Sequence, residues 1–85
     1  MNVAEQRKYG VNFFTVLKAA RSLFTDPEFL PTGMTDIAEK ILEKILGFNK
    51  ETALTRGIDW DALIKFIEIL LPLILKIIDI IISLV

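Results

Sequence analysis

Residues 59–85 read DWDALIKFIEILLPLILKIIDIIISLV, and the fold turns on how this stretch is covered. From residue 62 onward seventeen positions are Ile, Leu, Phe or Val. The non-apolar exceptions Lys65, Glu68, Pro72, Lys76, Asp79 and Ser83, with Asp61 just before them, recur at steps of three or four. At about 100° per residue these seven share an arc of about 80°, which leaves about 280° apolar. An ordinary surface helix carries an apolar stripe of about 100° or slightly more. Asp59 is positioned to cap this helix, Ile58 to pack on Leu63 as a hydrophobic staple, and Asp61 to meet the positive end of the dipole. Residues 59–85 as one helix are about 40 Å long. A compact chain of 85 residues has a radius of gyration near 12 Å, hence a diameter of roughly 30 Å. The helix therefore outruns the body available to cover it.

The rest of the chain predicts a helical head over residues 1–57. A first helix is expected over about residues 3–24, capped by Asn2 with Glu5 completing a capping box. Tyr9, Phe13, Val16, Leu17, Ala20 and Phe24 form its apolar face. Gly10 weakens the run, and a start near Asn12 is the alternative. Thr25 to Gly33, with two prolines and a glycine, reads as a connection. Asp26-Pro27 there can open a single turn, and Phe29 and Leu30 are expected to reach the core. A second amphipathic helix spans about 36–46, with Asp36 and Glu39 as its cap signature, Ile37, Ile41, Leu42, Ile45 and Leu46 as its stripe, and Gly47 as its stop. A short helix over 49–56 ends at Gly57, and the long apolar helix follows over 58–85. The expected class is all-α: a small helical protein with an N-terminal helix, a short middle amphipathic helix and one long, mostly apolar C-terminal helix.

Composition narrows the chemistry. The 85 residues contain no cysteine and no histidine. Disulfides and thiolate metal sites are excluded, and the commonest general base and metal ligand is missing. Ser22 and Ser83 have no histidine to activate them. Asp59 and Asp61 lack the glycine and later glutamate of a calcium loop. The four glycines are isolated, so no phosphate-cradling loop is formed. The net charge is −1, without the basic excess of a nucleic-acid binder. It divides as +3 over residues 1–25 and −4 over 26–85. Val11 to Leu17 is too short, and too interrupted by Asn12 and Thr15, for a secretory h-region. The expectation is a protein that is not an enzyme, with no catalytic residues, cofactor, metal, nucleic acid or small-molecule substrate.

The excess apolar surface must meet either lipid or protein. As a lone bilayer span the helix is poor. Its four ionisable groups cost on the order of 10–14 kcal/mol at the bilayer centre, against roughly 5–10 kcal/mol returned by its apolar residues. Within the stripe, Asp61–Lys65, Lys65–Glu68 and Lys76–Asp79 stand at pairing distance along one helix, and pairing between helices in a staggered register is the alternative. Pro72 lies in the same stripe, where a bend with its convex side toward water leaves the freed Glu68 carbonyl solvated. The apolar contact face is expected at Leu63, Phe66, Ile67, Leu70, Leu73, Ile74, Ile77, Ile78, Ile81 and Leu84. The polar stripe is Asp61, Lys65, Glu68, Lys76 and Asp79, and Trp60 is a candidate interface anchor, with packing on the N-terminal helix as the alternative. The sequence thus predicts a structural or interaction protein that self-associates, or is membrane-associated, through its C-terminal helix, as a component of a larger assembly. A soluble homo-oligomeric scaffold is one alternative and a pore-forming or lysis protein, its stripe lining a lumen, is another. The expected partners are further copies of the chain, membrane lipid or a larger protein assembly. The expected location is a membrane or a large assembly, and otherwise the cytoplasm.

Overall fold

The computed structural model describes residues 3–84, without the side chains of Val3 and Glu5. Its described residues form five helices: α1 (Val3–Lys8), α2 (Phe13–Phe24), α3 (Met34–Leu46), α4 (Lys50–Thr55) and α5 (Trp60–Ser83). The class expected from the sequence, all-α with one long C-terminal helix, is the one observed.

The single helix expected over 3–24 is two helices. Gly10 adopts φ 69°, a left-handed conformation that glycine takes without the penalty of a Cβ. Asn12 then opens α2 with a full capping box: its Oδ1 accepts from Thr15 N, and Thr15 Oγ1 accepts from Asn12 N, both at 3.0 Å. Thr15 Oγ1 also donates to the Gly10 carbonyl at 2.6 Å, which ties the break to the helix it precedes. The expected cap at Asn2 and Glu5 lies outside the described residues and side chains. Asn12→Ala is expected to lower stability by about 1 kcal/mol, the usual value of an N-cap. Chemical denaturation followed by far-UV circular dichroism measures it.

Between α2 and α3, Asp26 sets a turn. Its carboxylate accepts from Glu28 N at 2.9 Å and its carbonyl from Phe29 N at 3.1 Å. Phe29 packs edge-on against Phe24, ring centroids 5.5 Å apart, and reaches the core as expected. Leu30 does not; it is 83% exposed, because Pro31 keeps the preceding residue extended and leads the chain away. Helix α3 begins at Met34, before the expected Asp36. Asp36 lies one turn inside and its carboxylate accepts from Thr32 N at 3.2 Å. Gly47 ends α3 in the left-handed conformation at φ 80°. Asn49 caps α4 through Thr52 N, and Asp59 caps α5 through Ala62 N, both at 3.1 Å.

The core is one cluster. Val16, Ala19 and Ala20 of α2 and Ile37, Ala38, Ile41 and Leu42 of α3 meet Trp60, Leu63, Ile64, Ile67, Leu71, Ile74 and Ile78 of α5. The α5 members follow steps of three and four and span an arc of about 100°. Val11 and Ile58 from the connections and Ala53 from α4 close the cluster. The two small residues Ala19 and Ala20 let α2 approach closely. The principal extents are 40 × 25 × 18 Å with a radius of gyration of 12.7 Å. The long axis matches the length of α5, so the head covers one side of a rod.

Candidate interaction surface

Helix α5 meets the head with one face and leaves two strips outside it. The first is the polar stripe. Asp61, Lys65, Pro72, Lys76, Asp79 and Ser83 are exposed and Glu68 is half-buried. Glu68 accepts from the Thr35 hydroxyl at 3.2 Å, which fixes this edge of α5 beside the start of α3. The Ser83 hydroxyl donates to the Asp79 carbonyl within the last turn. The three pairs expected along the stripe are not formed. Among the described residues the ion pair present is Lys40–Glu43, at 3.7 Å. Among the described residues the charges of the stripe are in no ion pair, and Glu68 is the one that takes a hydrogen bond from the head.

The second strip is apolar and adjoins the first. Ile69 is 75% exposed, Leu73 53%, Ile80 60% and Leu84 82%. Half-buried Ala62, Phe66 and Ile77 complete the row 62, 66, 69, 73, 77, 80, 84. Its steps of four, three, four, four, three and four repeat every eleven residues. That is about 3.67 residues per turn, close enough to the helix's own 3.6 to hold the row on one face of a straight helix. Off this row the exposed large apolar side chains are scattered: Phe14 on α2, Met34 on α3, Leu54 on α4, Leu30 in the connection, and Ile82 on another face of α5. Such singles are normal on any surface, whereas a contiguous row marks a contact site.

The apolar face expected from the sequence divides accordingly. Leu63, Ile67, Ile74 and Ile78 are buried in the chain's own core and cannot meet a partner. Phe66, Leu70, Ile77 and Ile81 are half-buried, and Leu73 and Leu84 are exposed. Ile69 and Ile80, missing from the expectation, are central to the free row. Their signal in the sequence is adjacency to the polar stripe: the arc nearest the wet edge lies farthest from the head. Of the two readings of Trp60, its burial fits inward packing and not the interface anchor. At 2% exposure it is a core residue, and its ring cannot rest on lipid or on another chain. Its Nε1 is buried without a hydrogen-bond partner, a penalty of about 1–3 kcal/mol that burial of the large ring offsets.

An open groove lies at the start of the free row, lined by Asp59, Asp61, Ala62, Lys65, Phe66 and Ile69. It is apolar along its floor and charged along one rim. A second groove, between α2 and α3, carries Lys18, Lys44 and Ser22 but no carboxylate, so it holds no acid–base pair. Among the described residues no group of three or more potential metal ligands occurs, and no helix is long and apolar enough to cross a membrane. The chain matches no protein-family model, no curated protein and no solved structure.

Proposed function

We propose that the protein is a non-enzymatic structural module that builds or joins an assembly through the free apolar row of α5. The observation that carries this reading is the set Ile69, Leu73, Ile80 and Leu84, each more than half exposed on one helix face. Burial of apolar surface contributes about 25 cal/mol per Å², and among the described residues this row is the extended exposed apolar surface that supplies it. The head covers the inner face of α5 and leaves the row outward. The neighbouring charges, three acidic and two basic, suit a protein surface of mixed sign better than an anionic membrane, which attracts clusters of Lys and Arg.

Light scattering after size exclusion in detergent-free buffer tests the reading. The expected result is a defined species larger than the 9.7 kDa chain, dissociating on dilution. A monodisperse monomer far above micromolar concentration, with no higher species, overturns it.

A further inference from the structure

Resting on that reading, we propose that the occupant of the free row is a second copy of this chain, lying antiparallel on α5 with the two-fold axis beside Pro72. The argument starts from charge. Counting outward from Pro72, four residues back is Glu68 and four forward is Lys76; seven back is Lys65 and seven forward is Asp79. The sequence is thus antisymmetric in charge about the proline. An antiparallel two-fold maps each position onto its mirror. Lys65 then stands level with the partner's Asp79 and Glu68 level with the partner's Lys76, and the symmetry repeats both pairs. Asp61 falls level with the neutral Ser83 of the partner. Among the described residues none of these charges is in an ion pair, and the hydrogen bond from Thr35 occupies one oxygen of Glu68, leaving the other for the partner's Lys76.

The same register fits the apolar row. With Pro72 on the axis, the partner's Leu73 falls between Ile69 and Leu73, and the partner's Ile69 falls between Leu73 and Ile77. The partner's Ile80 falls between Ala62 and Phe66. Side chains alternate along the whole contact instead of colliding head-on, which is how helix surfaces interlock. The groove lined by Ala62, Phe66 and Ile69 receives the C-terminal turns of the partner, where Ile80 and Leu84 project. An isologous contact of this kind closes on itself as a dimer.

A parallel pair does neither thing. Its two-fold runs along the helices, brings identical residues level, and lays the charged edge of one copy beside the apolar flank of the other at Leu70 and Ile77. A lipid surface leaves the antisymmetry without a role, and the stripe has no net positive charge with which to hold anionic headgroups.

Single-thiol cross-linking tests orientation separately from association, since the chain has no cysteine of its own. Leu73→Cys should link to itself through a short bis-maleimide, the two thiols being about 3 Å apart along the axis. Ile80→Cys should not, because its copies stand about 24 Å apart. A mixture of Ile80→Cys with Ala62→Cys should give the mixed product. Efficient self-linking of Ile80→Cys overturns the antiparallel register, while an oligomeric mass leaves self-association standing. A monomeric mass, or a chain that floats with phosphatidylcholine–phosphatidylglycerol vesicles and is otherwise monomeric, overturns both. Charge exchange is the second readout. Lys65→Asp and Asp79→Lys should each raise the dissociation constant several-fold, and the double variant should restore it, because the exchange regenerates the pair across the axis. Failure of that restoration removes the proposed register.

Discussion

Ile67→Ala is expected to lower the free energy of unfolding by about 3–4 kcal/mol, whereas Ile69→Ala, two residues away on the same helix, changes it by less than about 0.5 kcal/mol. Ile67 is fully buried between α2 and α3, in the middle of the core cluster. Removing its branched side chain forfeits both transfer free energy and packing contacts around the vacated space. A domain of this size holds roughly 4–13 kcal/mol in all, so the loss is a large share of the total. Ile69 lies on the free row and touches little within its own chain. Urea denaturation followed by emission of Trp60, the single tryptophan and a core residue, reads the difference directly. The comparison belongs at low chain concentration, because association stabilises the folded state by mass action. Equal losses for the two variants would show that the assigned inner face of α5 is wrong.

That pair of residues also marks where sequence reading reaches its limit. Periodicity along residues 59–85 gives the helix, its cap at Asp59 and the seven-member polar stripe, because these depend on local spacing alone. Periodicity cannot divide an apolar arc of about 280° between head and partner, because Ile67 and Ile69 are the same residue type in the same local context. The division comes from where α2 and α3 sit. Trp60 fails for the same reason: an aromatic at the mouth of an apolar helix has one appearance whether it rests on a surface or packs inward. The break at Gly10 was legible only as a choice. Its competitor, the apolar face running from Tyr9 to Phe24, loses to a capping box formed by Asn12 and Thr15 together with a residue that accepts positive φ. At Asp36 the carboxylate serves the backbone just as a cap does, but from inside the helix, reaching back to Thr32 N. Side-chain chemistry was read correctly there and its position was not.

The second large effect concerns the free row. Leu73→Lys combined with Ile80→Lys is expected to convert the associated species into a 9.7 kDa monomer. The dissociation constant should rise by a factor of about 100 or more, equivalent to roughly 3 kcal/mol. Both positions are over half exposed in the isolated chain, so the ammonium groups remain in water there and folding is undisturbed. In the complex each copy brings both substitutions: the two ammonium groups at position 73 are covered by apolar surface beside the two-fold, and those at position 80 replace an apolar side chain against Ala62 and Phe66 in a groove whose rim also carries Asp59, Asp61 and Lys65. Stripping charged groups of water without a partner costs several kcal/mol per group when burial is complete, and partial burial at a helix seam retains enough of this to dissociate a small interface. Sedimentation equilibrium gives the mass, and far-UV circular dichroism confirms the helix content of the parent. The stability of the dilute variant should equal that of the dilute parent. A parent-sized species from the double variant would move the contact off this face of α5. The antisymmetric charges about Pro72 would then be a property of the stripe alone.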